Sequence, residues 1–151
     1  MNKNLSFLLS TLMLVSMMLG LQGCPGKKTE PTPETKTSLL TRNWKVQKVT
    51  ATSAGTPTTL YEEGAASNQV NYAAYRLNFT SATNYTRTDQ NAVESSGGWS
   101  FNAGETQINF NPGTPPSVNV ITLTKDSFVF TYTDAGGKNG NRELRFEMVP
   151  L

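Results

Sequence analysis

Side chains that could do catalytic chemistry are few in this sequence. The chain of 151 residues has no histidine and a single cysteine, Cys24. Without histidine it can hold neither a Ser-His-Asp triad nor a Cys-His pair, and it offers no His-ligated zinc site. Glu62 and Glu63 are adjacent, so in a strand they would face opposite sides and make a poor acid/base pair. The sequence therefore predicts a protein that is not an enzyme and has no cofactor or metal.

Two arginines are the best candidates for binding a ligand. Arg87 shares strand parity with Tyr85, and Arg142 falls on the inward parity of the last predicted strand. A guanidinium group presents a planar fork of donors that suits a carboxylate or a phosphate. The alternative is that both arginines reach water at the rim or pair with Glu94 or Asp134.

Residues 1–23 have the pattern of a signal peptide. Lys3 supplies the positive charge, and an apolar stretch follows over residues 5–21. Serine and threonine dilute that stretch and it ends at a small residue before Cys24, which favours a cleaved peptide over a membrane-spanning helix. The segment Leu-Gln-Gly-Cys at residues 21–24 resembles the lipobox of bacterial lipoproteins, in which a peptidase cuts before the cysteine and acyl chains are attached to it.

The lipobox resemblance implies a protein that is held on a membrane by acyl chains on Cys24. Two or three chains anchor firmly, whereas a single chain gives only marginal binding. Pro25, rather than Asp, follows the cysteine, and the same resemblance then implies the outer membrane of a Gram-negative bacterium. The alternative is an ordinary secretory peptide with an incidental cysteine. Residues 24–37 are rich in Pro, Thr and charge and are expected to form a flexible tether.

Residues 38–151 are expected to form one domain with little net charge. They contain nine Lys and Arg residues and nine Asp and Glu residues, without a basic stripe, which disfavours nucleic acid as a partner. Apolar residues recur with period two in short runs, and no stretch has a helical period. The predicted strands cover residues 43–51, 71–80, 83–89, 98–102, 106–110, 118–124, 127–133 and 142–149.

The simplest arrangement of these strands is an all-β fold, an eight-stranded antiparallel up-and-down barrel. The first, third, fifth and seventh links are expected to be long and the others tight; the long links cover residues 52–70, 90–97, 111–117 and 134–141. Odd and even links lie at opposite ends of such a barrel, so the long links should form one rim and the tether should enter at the other end. The first long link contains Tyr61 and is expected to be either a lid or disordered.

Three features of the domain occur together. Trp44 lies early in the first strand, eight strands follow as a meander, and residues 97–110 contain the hairpin GGWSF…GETQINF. From residue 39 to about 149 this pattern resembles the lipocalin-like (calycin-type) domains of bacterial lipoproteins. In the lipocalin signature Gly-x-Trp, Arg42 takes the place of the glycine. The family also packs an arginine from the last strand over the tryptophan, whereas the parity of Arg145 points it outward.

Two functions fit this pattern. The first is a binding module that holds a small apolar or amphiphilic ligand at the membrane-distal rim; its candidate binding residues are Arg87, Arg142, Tyr85, Trp99 and Tyr61. The second is a structural or interaction lipoprotein, whose barrel is filled by its own aromatic side chains and whose rim loops contact another envelope protein. The two functions differ in the volume that is left inside the barrel.

Overall fold

The computed structural model describes residues 33–113, 115–135 and 140–151. The predicted signal peptide, Cys24 and most of the predicted tether lie outside this part of the chain. The described elements are one short helix and nine strands: α1 (Lys36–Leu40), β1 (Asn43–Ser53), β2 (Thr56–Glu62), β3 (Arg76–Phe79), β4 (Asn84–Thr88), β5 (Glu94–Phe101), β6 (Gln107–Asn111), β7 (Ser117–Leu123), β8 (Phe128–Asp134) and β9 (Arg142–Pro150).

Eight of the strands form a closed antiparallel barrel. The order is β1-β3-β4-β5-β6-β7-β8-β9, and β9 returns to pair with β1. The closing pair runs from Trp44 opposite Pro150 to Thr52 opposite Glu143, with one irregularity after Val46. The predicted all-β barrel with up-and-down connections is therefore confirmed, and closure leaves none of these eight strands as a free sheet edge along the paired stretches.

Strand β2 is the extra element and was not predicted. It pairs with residues 48–53 of β1. Strand β3 pairs with residues 43–45 on the same side of β1. Ala54 and Gly55 connect the two strands with φ values of 48° and 80°, the left-handed conformations of a tight hairpin turn. The prediction of residues 52–70 as one long link is wrong here, because β2 begins with four exposed residues, Pro57 among them, and so has no period-two apolar pattern.

The predicted alternation of long and tight links is also wrong for the third and the fifth link. Strand β5 begins at Glu94, so the link before it covers only residues 89–93 rather than 90–97. The link between β6 and β7 covers residues 112–116, and so equals in length the turn of residues 102–106 at the opposite end. The start of β5 was missed because its residues are polar and exposed, and they are held by backbone pairing with β4 rather than by burial.

Aromatic rings fill the body of the barrel. Trp44 contacts Phe128 with ring centroids 5.5 Å apart, Phe128 contacts Phe130 at 5.0 Å, and Phe130 stacks on Phe146 at 5.1 Å. Phe79 joins this column against Phe128 at 6.2 Å. All five rings are almost completely buried. The interpretation that the aromatic side chains fill the interior themselves is thus confirmed for this column.

Helix α1 closes the end of the barrel that carries the tight turns. Leu40 is fully buried, and its carbonyl oxygen accepts a hydrogen bond of 3.0 Å from Nε1 of Trp44. Lys36 donates to the carbonyl oxygen of Glu105 at 2.7 Å, and Arg42 donates to that of Lys125 at 2.6 Å. Both acceptors belong to the even-numbered turns, so the prediction that the chain enters the barrel at this end is confirmed.

Replacing Leu40 with Ala tests this closure. We expect the free energy of unfolding to fall by about 2–5 kcal/mol, because the substitution leaves a cavity beneath Trp44. Leu151→Ala is the matched control, since Leu151 is 68% exposed and should change the stability by less than about 0.5 kcal/mol. Urea denaturation measures both; equal losses in the two variants would show that α1 does not seal the core.

Candidate functional site

A cavity of about 320 Å³ opens at the end of the barrel opposite α1. Strands β4, β8 and β9 supply its walls together with the segment before β3 and the link after β4. Its lining residues are Tyr72, Tyr75, Arg87, Asp89, Gln90, Tyr132, Asp134, Arg142, Leu144 and Phe146. We call this space the mouth cavity. It lies at the rim where the sequence predicts the binding surface, and its volume is at the lower end of the range of small-molecule sites.

Four aromatic rings form the floor of the mouth cavity. The ring of Phe146 lies 5.4 Å from that of Tyr72 and 5.2 Å from that of Tyr75. The ring of Tyr132 stacks on that of Phe146 at 5.8 Å. The cavity therefore has an aromatic base, and the three tyrosines bring polar hydroxyl groups to an otherwise apolar surface.

The local sequence explains how Tyr72 and Tyr75 reach the mouth. Residues 71–75 were predicted as the start of a strand, but they form a turn that precedes β3. The side chain of Asn71 accepts a hydrogen bond of 2.9 Å from the backbone of Ala73, and the amide of Tyr75 donates to the carbonyl oxygen of Tyr72 at 2.9 Å. This Asx turn places both rings against Phe146.

The segment between β2 and β3 is fastened to β2 by hydrogen bonds. Asn68 accepts from the amide of Glu62 at 2.8 Å and donates to its carbonyl oxygen at 3.2 Å. The amides of Gln69 and Val70 both donate to the carbonyl oxygen of Leu60. Of the two interpretations of this link, a lid or a disordered loop, these contacts favour an ordered cover that carries Tyr72 to the mouth.

Arg142 lies at the rim and forms an ion pair with Asp134. Its Nε and Nη2 atoms lie 3.0 Å and 2.9 Å from the same carboxylate oxygen, Oδ2. The two residues are directly opposite each other on β9 and β8. The predicted alternative of a pair with Asp134 is therefore confirmed for Arg142.

Arg87 lies deeper, where the mouth cavity meets a second, much smaller space. The smaller space has a volume of about 10 Å³, room for roughly one water molecule. Arg87 and Tyr75 line both spaces. The other residues that line the smaller one are Leu77, Tyr85, Phe110, Pro115, Val118 and Phe130. Arg87 therefore contributes to two adjoining spaces of the barrel.

The phenol groups around Arg87 remain protonated at neutral pH. Burial raises the pKa values of Tyr75 and Tyr132 well above the ordinary 10.0, and the positive charge of Arg87 only partly offsets this effect. Burial likewise raises the pKa values of Tyr72 and Tyr85. Each phenol is therefore a neutral group with one O–H donor, and in Tyr85 that donor is already directed to the carbonyl oxygen of Pro112.

The other predicted site residues lie at different depths. The hydroxyl of Tyr85 donates to the carbonyl oxygen of Pro112 at 2.6 Å, in the link between β6 and β7. Tyr61 is buried behind the mouth, with its ring 6.1 Å from that of Tyr72. Trp99 is not brought to the mouth: its Nε1 atom donates to Ser81 in the turn between β3 and β4, at the closed end.

Sequence reasoning did not assign the three tyrosines of the floor to the site. Tyr132 was recognisable as inward-facing, because it alternates with Phe128 and Phe130 on β8. No local signal could place Tyr72, since its position depends on the turn before β3. Among the described residues, no group of three or more acidic or Cys side chains is placed to hold a metal ion.

Comparison with known proteins gives a family. The family model of the Lipocalin-like domain matches residues 40–130, more than half of the chain. The chain belongs to the lipocalin-like domain family. No curated protein and no solved structure matches it. The matched region ends within β8, so Arg142, Leu144 and Phe146 of the mouth cavity lie beyond it.

This lipocalin-like chain departs from the family pattern at the tryptophan. Arg42, which takes the place of the signature glycine, lies with its Cζ atom 5.5 Å from the ring centroid of Trp44. Arg145 points outward, as its parity predicts, and binds Glu147 at 3.0 Å. The cation over the tryptophan therefore comes from the residue before β1 rather than from the last strand.

In the described part of the chain, no helix has the length and apolar character needed to cross a membrane.

The buried tyrosines predict a loss of stability at high pH. Their raised pKa values mean that the unfolded chain loses phenol protons above the ordinary pKa of 10.0 while the folded chain retains them. The stabilising effect is complete below pH 10 and falls as the pH rises, by about 1 kcal/mol per tyrosine at pH 11. Urea unfolding between pH 8 and 11 measures it. Tyr75→Phe should flatten this dependence, and an unchanged slope in that variant would contradict the assignment.

Proposed function

We propose that this protein is a lipoprotein that is anchored by acyl chains on Cys24 and that binds a small amphiphilic ligand in the mouth cavity. The observation that carries the proposal is an open cavity of about 320 Å³ above a body that is filled by aromatic rings. A barrel that is packed throughout would leave no space of this size at one end. The ligand is bound without catalysis.

The lining of the cavity supports an amphiphilic rather than a purely apolar ligand. The floor is formed by Phe146, Leu144 and tyrosine rings, which favour a compact apolar body. The lining also contains two arginines, two aspartates and a glutamine, and a ligand without polar groups would displace water from them without replacing its hydrogen bonds. The aromatic column inside the barrel also argues against a long acyl chain, since such a chain would have to penetrate among the core rings.

The point of entry of the chain supports a membrane-distal mouth. Helix α1 lies against the tight turns, at the end of the barrel opposite the mouth cavity. A tether that precedes α1 and ends in lipidated Cys24 would leave the mouth accessible from the aqueous side. Pro25, following the cysteine, supports placement in the outer membrane of a Gram-negative bacterium.

A second candidate function is a structural or interaction lipoprotein that contacts another envelope protein through its rim loops. The filled aromatic column favours it, because such a barrel is a rigid support for loops. The mouth cavity distinguishes the two functions: a partner protein would cover it from above, whereas a small ligand would occupy it.

Native mass spectrometry decides between these functions. The protein is extracted gently from its own membrane and its tether is cut by limited proteolysis. We expect an additional mass of roughly a few hundred daltons that is lost on collisional activation, as a site of this size would hold. A bare mass, together with a second protein that co-purifies with it, would instead support the interaction function.

Replacing Cys24 with Ser tests the anchor. The variant lacks the sulfur that carries the diacylglycerol, so we expect an uncleaved, unlipidated chain with altered mobility and no acyl mass. Lys3 and the apolar stretch are left intact in this variant, and a Ser38→Ala variant serves as the matched control with unchanged lipidation. Wild-type mobility and acyl mass in Cys24→Ser would refute lipidation at this cysteine.

A further inference from the structure

The charged residues of the mouth cavity balance one another. Its lining contains two arginines, Arg87 and Arg142, and two aspartates, Asp89 and Asp134, so its formal charge is zero. A net charge of zero attracts neither an anion nor a cation over a distance. Whether the cavity distinguishes ligands by charge therefore depends on what each charged group already contacts.

The two charges at the rim hold each other. Asp134 and Arg142 are directly opposite on β8 and β9, with the inward parity of Tyr132 and Leu144. The Oδ2 atom of Asp134 lies 3.0 Å from Nε and 2.9 Å from Nη2 of Arg142. We call these two residues the rim pair. An anion that bound the guanidinium group, or a cation that bound the carboxylate, would first have to separate the rim pair.

The other two charged residues of the lining are engaged as well. The Oδ1 atom of Asp89 accepts hydrogen bonds from the amides of Asn91 and Val93, at 2.8 Å and 2.9 Å. Arg87 also has an interaction within the protein. A ligand ion of either sign would therefore lose water on entering the mouth cavity and would meet only counter-charges that already have other contacts.

The remaining residues of the lining suit an uncharged ligand. They are the four aromatic rings of the floor, Leu144 and the side-chain amide of Gln90. The tyrosine hydroxyls of the floor are neutral at ordinary pH, because burial raises their pKa values. Rings of this kind pack against a ligand ring, and neutral hydroxyl and amide groups form hydrogen bonds with an alcohol or an amide.

We infer that the mouth cavity selects an uncharged ligand, a small ring-bearing alcohol or amide, and that the rim pair of Arg142 and Asp134 is the element that discriminates against ions. The ring of the ligand lies over Phe146. A zwitterion is also neutral overall, but each of its charges would compete with the rim pair. This inference rests on the proposed function of the mouth cavity and specifies the chemical class of its ligand.

Three probes that share one benzene ring test the selection by charge. Benzyl alcohol is neutral, benzoate is an anion and benzylammonium is a cation at neutral pH. Their binding is measured on the intact lipoprotein in phosphatidylcholine nanodiscs, with empty nanodiscs as the blank. We expect benzyl alcohol to bind at least about threefold more tightly than either ion. Binding of either ion as tight as that of benzyl alcohol would overturn the inference.

Opening the rim pair should admit ions. Asp134→Asn leaves Arg142 without its carboxylate, so benzoate should bind at least about threefold more tightly than to the wild type. Arg142→Met leaves Asp134 without its cation, so benzylammonium should gain by a similar factor. Benzyl alcohol should change by less than about twofold in both variants. Unchanged ion affinities in the folded variants would contradict the role of the rim pair; if neither variant folds, the wild-type comparison of the three probes decides.

An ion pair on the outer face of β9 provides the matched control. The Nε atom of Arg145 lies 3.0 Å from Oε1 of Glu147, and their side chains are 40% and 37% exposed, against 40% and 33% for Arg142 and Asp134. Glu147→Gln and Arg145→Met therefore make the same changes of charge outside the barrel. We expect all three probes to keep their affinities in these variants. Gains equal to those of the rim variants would show that overall charge governs binding, and would overturn the inference.

Native mass spectrometry of the extracted protein separates this inference from the proposed function. An uncharged guest supports both. A guest that contains a carboxylate, phosphate or ammonium group refutes the selection by charge, whereas the proposed function stands. If none of the three probes binds and the mass is bare, both fail.

Discussion

The column of aromatic rings inside the barrel is the constraint on which the rest of the structure depends. Trp44 from β1, Phe128 and Phe130 from β8, and Phe146 from β9 lie in contact along the barrel. These three strands are neighbours through the closing pair of β9 with β1. A slip of one residue in any of them would turn its aromatic residues outward, so the packing of the column fixes the register with which the barrel closes.

The same column decides where a ligand can bind. Large rings occupy the body of the barrel, and a space of about 10 Å³ lies beside Arg87 in the part of the chain that the structure describes. Above Phe146 the strands carry tyrosines, arginines and aspartates, which do not fill the space between them. The mouth cavity is therefore what remains when a filled aromatic core ends before the strands do.

The two ends of the barrel differ, because one is closed by α1 and the other carries the mouth cavity. At the closed end, α1 and the cation of Arg42 pack against Trp44, and hydrogen bonds from Lys36 and Arg42 join this segment to two turns. At the open end, Tyr72 is carried in by a segment that β2 holds in place through Leu60 and Glu62. The extra strand is thus part of the support of the mouth, although it is not part of the barrel.

Local patterns in the sequence determined most of the strands and the orientation of the key side chains. Period-two alternation located β4 and β6 to β9 and placed Arg87 and Arg142 on inward parity, because side-chain direction in a strand depends only on residue spacing. The location of the rim followed from the order of the links. The pairing of β2, the capture of Arg142 by Asp134 and the positions of Tyr72 and Trp99 were decided by the tertiary structure. Those features depend on which of the available partners each residue contacts and on the volume that the packed rings leave empty, which residue spacing alone does not record.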